Sequence, residues 1–264
     1  MADYRGRFVW YELMTSEPDA AIDFYGNVVG WGTQPFEGTE QPYTMWTNND
    51  VPIGGVMELP EQAAAAGAPP HWLPYIGTSD VDATVARAVE LGATVLVPGM
   101  DIPDVGRLVI VADPQGAVFA AYTPADPTDE MVSDEPPQVG QFSWHELATT
   151  DHEAAFAFYS ELFGWEKTTA MDMNESGEGP PAIYQMYKGP SGPELGGIFN
   201  KPPEMPVAAW MLYAKVPDVK GSADSVSGSG GRVLNGPMEV PGGDMIAQCM
   251  DPQGAAFAVH SSAN

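Results

Sequence analysis

Asp113-Pro114-Gln115-Gly116-Ala117 returns letter for letter as Asp251-Pro252-Gln253-Gly254-Ala255. Upstream of that pair, Trp72, Tyr75 and Asp80-Val81 align without a gap on Trp210, Tyr213 and Asp218-Val219. Ile53-Gly54-Gly55-Val56 answers to Leu195-Gly196-Gly197-Ile198, and Phe8-Val9-Trp10-Tyr11-Glu12-Leu13 to Phe142-Ser143-Trp144-His145-Glu146-Leu147. Ala20-Ala21, Phe24-Tyr25 and Gly30-Trp31 likewise meet Ala154-Ala155, Phe158-Tyr159 and Gly164-Trp165. So sustained a self-match marks a tandem duplication. The copies occupy 6–124 and 140–262, and 125–139 between them is a Pro-, Asp- and Glu-rich linker. Having no apolar periodicity, that linker is expected to be exposed.

Within a copy the pattern is strand, helix and further strands, then the same again. Phe8 to Met14 is an apolar run of strand length. Ser16-Glu17-Pro18-Asp19 opens a helix, with proline near its first turn and acids where the helix dipole favours them. Ala21, Phe24, Tyr25 and Val28 keep helical spacing until Gly30 stops it. Strand-like runs follow near Tyr43 to Thr47 and Ile53 to Leu59. The second half restarts at Leu73 to Thr78, has a helix between Asp80 and Gly92, and continues with runs at 94–97, 107–112 and 118–122. Its Asp-Pro-Gln-Gly turn suits a hairpin, proline setting one φ and glycine supplying the positive one. The expectation is α+β, with four βαβββ modules forming two domains. The insertions fall at 61–70 in copy one and at 171–181 in copy two, where loops are expected; glycines at 221–231 hint at relaxed packing there.

Composition narrows the function by exclusion. The 264 residues carry 36 acids against ten Lys and Arg, a net charge of −26. Nucleic acid and anionic membranes are held by clustered basic residues, and so few make no such patch. No apolar run approaches the ~18 residues of a membrane span, and no signal-like segment opens the chain. A cytoplasmic protein is expected, monomeric through its duplication or homodimeric. Cys249, the only cysteine, excludes an intrachain disulfide and lies in an apolar run that reads as buried.

The strand followed by an acid-opened helix ending in Phe24-Tyr25, then Gly30-Trp31, then Asp113-Pro-Gln-Gly, all duplicated, resembles the vicinal oxygen chelate superfamily. This is the glyoxalase, bleomycin-resistance and extradiol-dioxygenase group, and two-domain bacterial glyoxalase-like proteins are the nearest match. The resemblance implies a cupped sheet with the ligand on its concave side. In catalytic members it implies a divalent metal held there by His, Glu or Gln. The first such ligand falls on Trp10 and Trp144, seven residues before Glu17 and Asp151. The second falls near Leu73 and Met211, and the closing carboxylate on Ala120 and Ala258. Indole only donates, and alkyl groups have no lone pair to offer a cation.

No cofactor is therefore expected, a displaced divalent metal such as one held by Glu146 and His260 being the minority alternative. Strand alternation puts Glu12 and Glu146 on the faces of Trp10 and Trp144. Tyr122 and His260 share faces with Ala120 and Ala258 in the same way. With Met45, Trp46, Met57, Trp72, Met186, Trp210 and Met211, these residues are the expected ligand-binding lining, although core packing competes for each aromatic. Such a lining suits a flat, apolar or aromatic molecule, including a cationic one, since indole faces and carboxylates both favour positive charge. Burial among indoles would raise the pKa of Glu12 or Glu146 and make either a proton shuttle. The leading expectation is thus a metal-independent small-molecule binder. The alternative is a glyoxalase-type lyase or isomerase, or a dioxygenase-like enzyme, with a displaced metal or a Glu shuttle. His145, alternating with Trp144 and Glu146, is expected to pack toward the helices.

Overall fold

The computed structural model describes residues 4–38, 43–127, 131, 133–174 and 181–263. Parts of the acidic linker and of the copy-two insertion (128–130, 132 and 175–180) lie outside the described residues.

Copy one contains β1 (Phe8–Thr15), α1 (Pro18–Val28), β2 (Gly32–Phe36), β3 (Tyr43–Asn48), β4 (Val51–Glu58) and α2 (Glu61–Ala65). It continues with β5 (His71–Gly77), α3 (Val81–Glu90), β6 (Thr94–Ile102), β7 (Gly106–Ala112) and β8 (Val118–Pro124). Copy two contains β9 (Phe142–Thr149), α4 (His152–Phe163), β10 (Glu166–Asp172), β11 (Ile183–Lys188) and β12 (Glu194–Asn200). It ends with β13 (Ala209–Lys215), α5 (Val219–Gly228), β14 (Arg232–Glu239), β15 (Met245–Met250) and β16 (Ala256–Ser261). The fold is α+β, with two eight-stranded sheets ordered β2-β3-β4-β1-β5-β8-β7-β6 and β10-β11-β12-β9-β13-β16-β15-β14. In every module the strand before the helix pairs in parallel with the module's last strand, so β1 joins β4, β5 joins β8, β9 joins β12 and β13 joins β16.

Asp80, Asp151 and Asp218 cap α3, α4 and α5, each accepting from backbone N–H groups of the first turn. Two local expectations change. The 61–70 insertion, read as loop, contains the short helix α2. The glycine-rich 221–231 stretch, read as loosely packed, mostly forms α5, which buries Val219, Ser222, Ala223 and Val226. No helix among the described residues is long and apolar enough to cross a membrane. Cys249 is fully buried, and burial pushes its thiol pKa up to about 12.

The hydrogen-bonded sheets follow the copies, whereas the compact units do not. One unit comprises the described residues of Met1–Val9, Pro74–Glu135 and Trp144–Trp210; the other comprises those of Trp10–Leu73, Pro136–Ser143 and Met211–Asn264. Each unit thereby combines one module from each copy, and the repeated motifs meet crosswise inside it. In the first unit the Tyr159 hydroxyl donates to Asp113 Oδ2 at 3.1 Å, while Asp113 Oδ1 accepts from the Gln115 and Ala117 N–H groups. The Tyr159 ring stacks on Trp165 and meets Trp210 and Phe119 edge-on or tilted. In the second unit Tyr25 donates to Asp251 Oδ2, also at 3.1 Å, and accepts from the Trp72 indole at 2.9 Å. Trp31, Trp46 and Phe257 surround that ring.

Burial raises the pKa of Asp113, against the lowering effect of the Ala117, Gln115 and Gly116 N–H groups and the Tyr159 hydroxyl. Tyr159→Phe removes one donor from this buried carboxyl without changing the ring packing. It is expected to cost about 1–2 kcal/mol in denaturant unfolding. A loss below about 0.3 kcal/mol would show the contact to be energetically idle.

Candidate functional site

Within the second unit, β1, β3 and β4 bring three side chains of copy one into one hydrogen-bonded chain. The Trp10 indole N–H donates to the Tyr43 hydroxyl at 3.0 Å, and that hydroxyl donates to Glu12 Oε2 at 2.9 Å. Within the first unit, copy two repeats the arrangement. Trp144 donates to Tyr184 at 2.7 Å, and Tyr184 donates to Glu146 Oε1 at 2.8 Å. Glu12 is 2% exposed and Glu146 8%, whereas both indoles are half-buried. A carboxylate this enclosed needs strong donors, and each phenol supplies one.

The strand register explains how a tyrosine fits there. Glu12 pairs with Gly55 across β1 and β4, and Met45 pairs with the same glycine from β3. Glu146 and Met186 meet Gly197 in the same way. A Cβ at Gly55 would collide with the Tyr43 hydroxyl, and one at Gly197 with the Tyr184 ring. These glycines are the space in which the tyrosines lie. The neighbouring Gly54 and Gly196 serve the opposite face, where a Cβ would strike the backbone oxygens of Tyr11 and His145.

Tyr43 and Tyr184 were not among the residues singled out from the sequence. The signal was there, because Tyr43-Thr44-Met45 and Tyr184-Gln185-Met186 repeat a Tyr-x-Met pattern on equivalent strands. Met45 and Met186, two residues on, share the tyrosines' faces and are half-buried.

Three expected lining tryptophans lie elsewhere. Trp46, Trp72 and Trp210 belong to the aromatic cores around Tyr25 and Tyr159, at 1%, 5% and 7% exposure. Trp46 directly follows Met45 on β3 and so takes the opposite face, which removes it from the Trp10–Tyr43–Glu12 side. Tyr122 turns its hydroxyl to the Val105 carbonyl at 2.7 Å, and burial raises its pKa to about 12. Met57, two residues beyond Gly55 on β4, keeps that glycine's face and is half-buried, as is Met211. His260 is engaged by Ser143 and Asp244. His145 is buried, donates Nδ1–H to the Leu195 carbonyl at 2.8 Å and stacks on Phe8 at 3.8 Å.

The positions that the resemblance reserves for metal ligands hold Trp10, Leu73 and Ala120 in copy one and Trp144, Met211 and Ala258 in copy two. None offers a lone pair suited to a divalent cation except the soft thioether of Met211. Among the described residues no group of three or more His, Cys, Asp or Glu is arranged to hold a metal ion. The residues present do not fit that group.

Residues 140–259 match the family model of the glyoxalase/bleomycin resistance protein/dioxygenase superfamily, and residues 10–122 match that of a glyoxalase-like domain. CFP32 of Mycobacterium tuberculosis, whose name marks it as a provisional glyoxylase, is 31% identical over 261 residues, covering 98% of this chain and 96% of its own. The chain belongs to the glyoxalase/bleomycin resistance protein/dioxygenase superfamily. The anthracycline biosynthesis protein DauV of Streptomyces sp. strain C5 is 28% identical over 96% of this chain and 92% of its own. Among solved structures, the fold is similar to the 2,3-dioxygenase LapB of Pseudomonas sp. KL28, with a TM-score of 0.67, 14% identity and coverage of 99% and 94%. It is also similar to the Mn(II)-bound glyoxalase of Novosphingobium aromaticivorans, with a TM-score of 0.63, 16% identity and coverage of 100% and 83%.

Proposed function

We propose that this superfamily member is a metal-independent binder of a flat, largely aromatic small molecule, held at Trp10–Tyr43–Glu12 and Trp144–Tyr184–Glu146. The observation that carries the reading is the Trp–Tyr–Glu chain itself, built twice and starting at the position where the resemblance would put the first metal ligand. A half-buried indole offers a stacking face, the adjacent methionine adapts to ring edges, and the carboxylate with its phenol orients a protic or cationic substituent. The similarity to anthracycline biosynthesis proteins supports a fused-ring aromatic as the ligand class. The charge of −26 favours such a ligand over nucleic acid or an anionic membrane, in a cytoplasmic protein.

A second reading, in which Glu12 or Glu146 moves a proton for a glyoxalase-type lyase or isomerase, is favoured by the burial of both carboxylates. Here the tyrosine hydroxyl, already donating to the carboxylate, would relay a substrate proton.

Tryptophan-fluorescence titration with a hydroxyanthraquinone and with planar aromatic cations tests the binding reading. Saturable quenching is expected, weakened roughly tenfold by Tyr43→Phe or Tyr184→Phe, the worth of one hydrogen bond to a charged group. Absence of saturable quenching across the panel would contradict it.

A further inference from the structure

Copy two carries a second polar chain that copy one lacks. Ser143 Oγ lies 2.9 Å from His260 Nδ1, and His260 Nε2 lies 2.9 Å from Asp244 Oδ2. All three residues lie in the second compact unit. Asp244 is itself oriented, since its Oδ1 accepts the Ala263 N–H at 2.8 Å. Partial burial pushes the Asp244 pKa up, but the Ala263 N–H and His260 outweigh it and leave the carboxyl below its ordinary value. Asp244 is therefore an anion facing the imidazole. That anion favours the imidazole proton on Nε2, which leaves Nδ1, at 2.9 Å, the nearer acceptor for the serine hydroxyl, the Tyr213 carbonyl at 3.3 Å being the other.

The internal repeat shows that the fold does not require this chain. By the same alignment Ser143, Asp244 and His260 stand where copy one has Val9, Gly106 and Tyr122. There the Tyr122 ring packs so close over Gly106 that a Cβ would approach it to 2.8 Å, and its hydroxyl is tied to the Val105 carbonyl. Copy one fills the place with a packed phenol. Copy two changes three separated positions and obtains a hydroxyl, an imidazole and a carboxylate in sequence. The His260 side chain is 15% exposed and that of Asp244 40%, and Ser143 is half-buried, so solvent reaches the group.

We propose that Ser143, His260 and Asp244 form a nucleophilic relay in which Ser143 Oγ accepts the acyl group of small activated esters. This site is separate from the Trp–Tyr–Glu chains and does not rest on them. As the Ser143 Oγ–carbonyl bond forms, the hydroxyl proton passes to His260 Nδ1, and Asp244 stabilises the resulting imidazolium. The ester C–O bond then breaks, and the leaving alcohol or phenol takes that proton. Water attacks the acyl-serine with His260 as base, releasing the carboxylic acid and restoring the hydroxyl. The ring is reversed relative to the common arrangement, with Nε2 toward the carboxylate, but either imidazole nitrogen can relay the proton.

The test is covalent trapping of the full-length protein with a fluorophosphonate, read by intact mass and peptide mapping. One adduct per chain on Ser143 is expected, with labelling slowed at least tenfold in His260→Gln and in Asp244→Asn. p-Nitrophenyl acetate should give a burst of p-nitrophenol that Ser143→Ala abolishes. No adduct in the wild-type protein, an adduct on another residue, or labelling of both relay variants at the wild-type rate would each overturn the proposal. Because the wild-type labelling stands alone, a variant that fails to fold does not protect it.

Discussion

Gly197→Ala is expected to destabilise the protein by about 3 kcal/mol and to disconnect the copy-two Trp–Tyr–Glu chain. The added methyl would occupy the volume of the Tyr184 ring. Neither partner can yield easily, because Gly197 is registered between Glu146 on β9 and Met186 on β11. The ring must swing away, giving up both the Trp144 and the Glu146 hydrogen bonds. Overpacking a fitted site costs about 1–3 kcal/mol, and each lost bond adds about 1 kcal/mol. At this chain length the midpoint of thermal unfolding should fall by about 5–10 °C. Pairing Gly197→Ala with Tyr184→Ala should recover a substantial part of the loss, since the second change removes the collision. A double-mutant cycle measures that coupling. Additive effects, or a midpoint shift below about 1 °C for Gly197→Ala alone, would mean that Tyr184 does not lie over Gly197.

Acidification is expected to expose His145 as a stability determinant. Burial lowers its pKa from 6.5 to about 4, only partly opposed by the bond to Leu195. The folded pKa lies below the unfolded one, so the folded state excludes a proton that the unfolded chain binds. The contribution is fully present above pH 6.5 and is lost as the pH falls toward 4. A shift of that size corresponds to roughly 3 kcal/mol across the window. Asp113 and Asp251, whose pKa values burial raises, act in the opposite sense, so total stability against pH mixes both. Comparison with His145→Phe separates them. Phenylalanine keeps the stack on Phe8, forfeits the Leu195 bond by a constant amount, and cannot titrate. Guanidinium unfolding at pH 7 and pH 4.5 should therefore show a clearly smaller loss in the variant. Parallel pH profiles for the two proteins would contradict the assignment.

Much of the fold was legible because duplication wrote it twice. The helices follow from the Phe-Tyr spacing and acidic openings, and the hairpin turns from Asp-Pro-Gln-Gly. β2 was missed because Gly32-Thr33-Gln34-Pro35-Phe36 has no apolar alternation and contains a proline, as suits a strand at the sheet's edge. The crosswise pairing of motifs was invisible for a different reason. The two copies carry the same Phe-Tyr and Asp-Pro-Gln-Gly motifs, so no local signal tells Tyr25 to choose Asp251 over Asp113.

At the site, alternation correctly put Glu12 with Trp10 and Glu146 with Trp144. Trp72 and Trp210, grouped with the lining as aromatics, pack in the core instead, because a strand tryptophan has the same apolar signature whether it faces a ligand or a helix. Tyr43 and Tyr184 escaped notice because their role depends on Gly55 and Gly197, residues distant in sequence whose only contribution is space.

We propose that a phenol-bridged tryptophan and glutamate, in place of a metal, hold a flat ligand in this protein. The most direct test is calorimetric titration of a hydroxyanthraquinone into exhaustively chelated protein, repeated after adding Mn²⁺ or Zn²⁺. The same affinity is expected with and without metal, and its loss when Tyr43→Phe and Tyr184→Phe are combined. Binding that appears only after metal is restored, or that survives the double variant unchanged, would contradict it.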